Sequence, residues 1–278
     1  MQMHIHRIYP LLARGLIRFA SRRRPAYYDY SGCENVDNRS RLEQPECDIR
    51  RSIAPGLTVE ILGINGTISA EVASGDELQV IATKHSTIGD PADVVIEVLD
   101  HRDGITVLGA YADNDLSSRG KRRRADMPGG NNDVQVDFKV FIPSSVRLVA
   151  RLLNGQINTS LLQSDISAEV LNGELNVSTF RAVKAVAVNG AITVSIGEHS
   201  LANPIVCRTT NGCITLDLPS QSDADVEART LNGNISTDFP LTVMGRFNSR
   251  EVNGVIGRGG RKLILETSNG SIELRRRS

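Results

Sequence analysis

Along the C-terminal half of the chain, apolar and polar residues alternate in short runs that keep fixed offsets from a recurrent asparagine. Six residues before it stand Leu148, Ile166, Val183, Ile205, Val226, Phe247 and Leu263; four before it stand Ala150, Ala168, Ala185, Cys207, Ala228, Ser249 and Leu265. Val59 and Ile61 hold the same places in an early copy. The residues between are mostly polar, such as Ser167, Lys184, Glu227 and Asn248, although Val149, Val206 and Ile264 break the rule. A period of two marks a strand with one buried face. Beyond the asparagine, the third and fifth positions are again apolar or threonine: Ile157 and Thr159, Leu175 and Val177, Ile192 and Val194, Ile214 and Leu216. Each unit is therefore predicted to be strand, corner, strand.

The corner is Asn-Gly in every copy: Asn154-Gly155, Asn172-Gly173, Asn189-Gly190, Asn211-Gly212, Asn232-Gly233, Asn253-Gly254 and Asn269-Gly270, with an early Asn65-Gly66. The seven C-terminal copies are 18, 17, 22, 21, 21 and 16 residues apart. A period near twenty residues is a repeat architecture. Asn-Gly tolerates positive φ at both residues, so a meander of two-residue hairpins satisfies the pattern. A parallel β-solenoid satisfies it too, with each coil about 4.8 Å from the last and like residues stacked on like. Only the solenoid gives a reason for the same residues to recur in every turn. The expected fold is all-β, a β-helix-like parallel solenoid of Asn-Gly repeats.

Upstream the runs lengthen. Leu78–Thr83, Val94–Leu99, Ile105–Ala110 and Val134–Ile142 read as strands. A solenoid needs its end coils covered against edge-to-edge pairing, so residues 57–143 are expected to form a β-rich N-terminal cap and first coils. Residues 144–278 are the regular repeats of the same domain, and 1–56 a basic leader with an irregular segment. The Gly-, Asp- and Arg-rich stretch between Ala112 and Asn132, with Lys121–Arg124, reads as a mobile loop.

The recurrent strand–Asn-Gly–x–Ile unit, the Gly259-Gly260 turn, and Asp103-Gly104-Ile105-Thr106-Val107 followed by Tyr111 resemble a known family. It is the bacterial β-strand-repeat domain of unknown function named "putative adhesin", and the resemblance runs from about Pro55 to Arg275. It implies a β-helical, envelope-associated binding or scaffold role and supplies no catalytic residues.

Composition narrows the field. The charges balance, with 32 basic and 32 acidic residues, so no global field recruits nucleic acid or membrane. Aromatic residues are 4% of the chain with no Trp, which fits narrow aliphatic interiors and argues against stacking on sugars or bases. Residues 1–24 hold arginines and no acid, with Ile5, Ile8, Leu12, Leu16 and Phe19 at helical spacing. Three readings stay open there: a basic helix on an anionic membrane, a secretory signal interrupted by Arg14 and Arg18, or a poorly ordered leader. In an exported protein Cys33 and Cys47 close a loop of about 15 residues worth about 3 kcal/mol; in the cytosol they remain thiols. Cys207 occupies the inward small-residue column, and Cys213 is expected to point outward.

Candidate chemistry is sparse. Asp100-His101-Arg102-Asp103 reads first as a turn, having no second histidine to complete a site. Asp223-Ala224-Asp225-Val226-Glu227 resembles an acidic catalytic furrow, but its alternation puts the acids on a wet face. Three residues before the corner, Arg208, Arg229 and Arg250 would project side by side at about 5 Å if coils stack in register. That file is the candidate anion-binding stripe, with neutralisation by Glu227 and other acids as the competing reading.

No catalytic residue, metal ligand or cofactor is assigned. The expected function is a non-enzymatic, adhesin-like binding or scaffold protein of the bacterial cell envelope, extracytoplasmic, with an anionic envelope polymer or another envelope protein as partner and no nucleic acid. The alternatives are an intracellular or membrane-surface regulatory scaffold, touching membrane through residues 1–24, and, further off, a polysaccharide-acting β-helix enzyme.

Overall fold

The computed structural model of the chain describes residues 47–111, 133–198, 203–243 and 248–277. The basic leader, Cys33 and Lys121–Arg124 lie outside the described residues. The N-terminal strands are β1 (Cys47–Ser52), β2 (Thr58–Val72), β3 (Glu77–His85), β4 (Val94–His101), β5 (Gly104–Tyr111), β6 (Gln135–Ile142) and β7 (Arg147–Ser160). The repeats supply β8 (Ile166–Asn172), β9 (Leu175–Thr179), β10 (Val183–Asn189), β11 (Ile192–Ile196), β12 (Ile205–Asn211) and β13 (Ile214–Pro219). The chain ends with β14 (Ala224–Asn232), β15 (Ile235–Thr237), β16 (Leu241–Val243), β17 (Glu251–Ile256), β18 (Arg261–Asn269) and β19 (Ile272–Arg277).

The two strands of a unit do not pair with each other. β8 pairs in parallel with β7 and β10, while β9 pairs in parallel with β7 and β11. The hairpin alternative is thereby excluded, and the fold is all-β, mostly parallel and solenoid-like. β2 and β7 are long enough to run through both stacks, turning at Asn65-Gly66 and Asn154-Gly155. Strands before the corner form one stack, ordered β4-β5-β2-β7-β8-β10-β12-β18-β14-β17-β16. Strands after it form the other, ordered β1-β3-β6-β2-β7-β9-β11-β13-β19-β15. The columns that alternate inward, such as Leu148, Ile166, Val183, Ile205 and Leu263, are all under 4% exposed and share one core with Ile157, Leu175, Ile192, Ile214 and Ile272.

Glycine at the corner is a packing requirement. A Cβ on Gly173 would lie 1.7 Å from the carbonyl oxygen of Gly155, and φ there is 144°. Stacked corners approach backbone to backbone, leaving no room for a side chain. In the later coils, threonine two residues before the asparagine reinforces the approach: Thr209, Thr267 and Thr230 donate Oγ1 to the carbonyls of Gly190, Gly212 and Gly270 at 2.8–3.0 Å.

Two features depart from the sequence expectation. β1, within the segment expected to be irregular, pairs antiparallel with β3, so residues 47–52 belong to the β-structure as well. Its alternation, Cys47 and Ile49 inward against Asp48 and Arg50 outward, is too short to stand out. The coils also do not stack in chain order. β18–β19 enters between the coils β12–β13 and β14–β15, which are neighbours in sequence.

Candidate binding faces

On the outer face of the first stack, the position three before the corner reads, in spatial order, Leu62, Arg151, Glu169, Val186, Arg208, Glu266 and Arg229. The file of Arg208, Arg229 and Arg250 therefore does not form. Glu266 stands between the first two and accepts Arg208 Nε at 2.7 Å. Arg229 meets Glu251 at 3.0 Å. Arg250 lies exposed in the turn before β17, where its carbonyl accepts the N–H of Thr230. Inserting β18 puts a carboxylate where chain order puts a second guanidinium.

Further along the same face Arg151 bridges Glu60 and Glu169, and Lys184 Nζ donates to Glu169 at 2.7 Å. Burial opposes the charge on Glu169, but the hydrogen bonds and charges of Lys184 and Arg151 outweigh it and hold the carboxyl below its usual range. Glu60 accepts from Thr106, whose hydroxyl also contacts His101 Nε2 at 3.2 Å. Asp100 and His101 end β4, and Arg102-Asp103, both exposed, form the turn to β5.

The acidic row at Asp223 and Asp225 holds the chain crossing. β17 runs antiparallel along one side of β14 and β18 parallel along the other, so residues 257–260 pass over the start of β14. Asp223 accepts the backbone N–H of Arg258 at 2.8 Å and both Nε and Nη2 of its guanidinium, and Asp225 accepts the N–H of Gly260 at 3.2 Å. The backbone N–H and then the guanidinium of Arg258 lower the Asp223 carboxyl. The acids stand on the wet face of β14, as the alternation predicts. The signal for the crossing is the run Gly257-Arg258-Gly259-Gly260, which ends the Asn253 unit before it can form a second strand.

The corner forms an amide ladder. Asn154 donates to Asn65, Asn172 to Asn154, Asn189 to Asn172, Asn211 to Asn189, Asn269 to Asn211, and Asn232 to Asn269, each at 2.7–2.8 Å. Asn253 lies outside it, opposite Glu227 on antiparallel β17, and Gly254 with it.

The outer face of the second stack is of another character. Its middle file runs Ser69, Asn158, Asn176, Thr193, Thr215 and then Glu273 across β2, β7, β9, β11, β13 and β19. Beside it, Ser178, Ser195 and Asp217 form a second file on β9, β11 and β13, with Ser195 donating to Asp217 at 3.0 Å. Toward β3 and β6 the face becomes charged and holds an open depression among Thr67, Glu71, Thr83, Asp137 and Lys139, where Asp137 accepts the Thr67 N–H at 2.7 Å.

Cys207 is buried in the small-residue column, its thiol pushed up to about 12 by burial, and Cys213 is exposed; both are free. Cys47 is disulfide-bonded. Among the described residues, no three His, Cys, Asp or Glu side chains converge to hold a metal ion, and no helix is long and apolar enough to cross a membrane.

Residues 151–275 match the Toastrack DUF4097 family. Two solved structures are similar at low identity. One is a "putative cell adhesion protein" from Clostridium sporogenes, 14% identical with a TM-score of 0.44, covering 84% of this chain and 100% of that one. The other is a "putative adhesin" from Bacteroides fragilis, 9% identical with a TM-score of 0.35, covering 84% of this chain and 97% of that one. No curated protein matches the chain.

Proposed function

With residues 151–275 matching the Toastrack DUF4097 family, we propose that this chain is a non-enzymatic, adhesin-like binding or scaffold protein of the bacterial cell envelope. The observation that carries the reading is the outer face of the second stack, where like polar side chains recur strand after strand in register. Parallel stacking repeats one side chain about every 4.8 Å, which makes an extended contact surface rather than an enclosed site. The disulfide at Cys47 supports an oxidising compartment. The charged face of the first stack is a poorer candidate for an anionic polymer, because Arg151, Arg208 and Arg229 each have a carboxylate partner.

The test is protease shaving of intact cells, with mass spectrometry of the released peptides and of the oxidation state of Cys33 and Cys47. Released peptides and oxidised cysteines are expected. Full protection with free thiols would overturn the envelope placement and favour an intracellular scaffold.

A further inference from the structure

The partner chemistry can be read from the second stack. From β2 to β13 its middle file, Ser69, Asn158, Asn176, Thr193 and Thr215, contains no ionisable group. Five strands at about 4.8 Å make a neutral track about 19 Å long. Its ends are marked by charge, with Glu273 following Thr215 in the file, Lys139 of β6 next to Ser69 at the other end, and Glu71 beside Ser69 on β2. Along its flanks stand the carboxylates Glu174 and Asp217.

The side chains of this track have capacity left over. Asn176 Nδ2 donates to Asn158 Oδ1 at 3.0 Å, leaving the Asn176 carbonyl and the Asn158 amide N–H groups directed at their surroundings. Asn176 is exposed, and Thr193 and Thr215 are half-buried with hydroxyls able both to donate and to accept. A polyanion would meet carboxylates at the flanks and no cation between the two ends of the track, where Lys139 stands at one end only. A peptide strand gains its affinity from main-chain bonds at a sheet edge, which a paired face does not offer. A chain of neutral hydroxyl groups matches both the donor–acceptor mixture and the charge.

Resting on the binding reading above, we propose that the outer face of β2, β7, β9, β11 and β13 binds a neutral, extended polysaccharide laid across the strands. Successive sugar rings then meet successive side chains of the file, because the strand spacing is close to the advance of one ring in an extended glycan. Each hydrogen bond contributes only about 0.5–1.5 kcal/mol net, so affinity comes from several contacts in series and rises with polymer length. The scarcity of aromatic residues (4% of the chain) is consistent with recognition by hydrogen-bond register rather than ring stacking.

The experiment is retention of the full-length protein by neutral polysaccharides (cellulose, curdlan, mannan and dextran) against polygalacturonate as the anionic comparison. Retention by at least one neutral polymer is expected, with polygalacturonate weaker. The triple variant Asn176→Ala, Thr193→Ala, Thr215→Ala should lose about tenfold in retention. Lys184→Ala, on the other stack, should lose nothing, and circular dichroism must show both variants folded. Failure to be retained by any neutral polymer, retention unchanged in the folded triple variant, or stronger retention by polygalacturonate would each overturn the proposal. A protein protected inside cells yet retained by a neutral polymer overturns only the envelope placement. One shaved from cells but not retained overturns only the glycan face.

Discussion

Glu266 accepts Arg208 Nε at 2.7 Å across the seam where the C-terminal strand β18 enters between two coils that are consecutive in the chain. Without that insertion Arg208 and Arg229 would be neighbours in one file, about 4.8 Å apart. The carboxylate thus supplies an electrostatic reason for β18 to stand where it does. Glu266→Ala is expected to cost about 1 kcal/mol, because both side chains are about one-third exposed. Glu266→Arg, which makes three guanidiniums adjacent, is expected to cost about 2 kcal/mol or more. Urea denaturation measures both, and an unchanged midpoint in Glu266→Arg would refute the assignment.

The amide ladder makes a contrast that the sequence hides. Asn189 accepts from Asn211 and donates to Asn172, so Asn189→Ala removes two hydrogen bonds and should cost about 1–2 kcal/mol. Asn232 donates one such bond, and its replacement should cost roughly half as much. Asn253, in the same Asn-Gly-x-Ile motif but outside the ladder, should tolerate alanine within about 0.5 kcal/mol. Thermal melts of the three variants test the order.

The glycines divide in the same way. Gly173→Ala would drive a Cβ into the Gly155 carbonyl at 1.7 Å, and the coils would have to part. A loss of more than about 3 kcal/mol, or failure to fold, is expected. Gly254→Ala meets nothing nearer than the Thr242 carbonyl at 3.1 Å and should cost about 1 kcal/mol. Comparable losses at the two positions would contradict the placement of Gly254 outside the stacked corners.

Acid should weaken the fold through specific carboxylates. Glu169 is held below its ordinary value of 4.5, burial being outweighed by Lys184 and Arg151. Asp223 is held below 3.8 by the backbone N–H and guanidinium of Arg258. Asp133 is lowered by the backbone N–H groups of Gly89, Thr87 and Ile88. A carboxyl lowered in the folded state binds protons more weakly there than when unfolded. Its contribution is therefore fully present above the unfolded value and lost as pH falls through the folded one. Stability should be flat with respect to these groups above about pH 5 and decline below about pH 4. Glu169→Gln should make the acid slope shallower, as followed by urea midpoints between pH 3 and pH 7.

Much of this architecture is legible in the residues. The inward files of Leu148, Ile166 and Val183, and the small-residue column holding Ala150, Ala168 and Cys207, follow from alternation alone, because a strand with one wet face has only one way to bury them. The exposure of Cys213 follows from the same count. The polar track of the second stack is not legible in the sequence, since serine, threonine and asparagine on a strand's wet face look like ordinary solvation until their strands are placed side by side. The alternation around Asp223 and Asp225 correctly puts both on the wet face; only the crossing of residues 257–260 brings Arg258 and Gly260 against them.

The sequence by itself determined the coil: which residues face inward, where the backbone turns, and why glycine must stand there. It could not determine the order of the coils. When every unit presents the same asparagine, glycine and aliphatic columns, each is an acceptable neighbour for any other, so the pattern that specifies stacking is silent about succession. That choice was made by non-local contacts: Glu266 beside Arg208, the truncated Asn253 unit turning back along β14, and Asp223 holding the crossing. The neutral track on the second stack is likewise a property of neighbours, because a binding face exists only once the strands that carry it lie side by side.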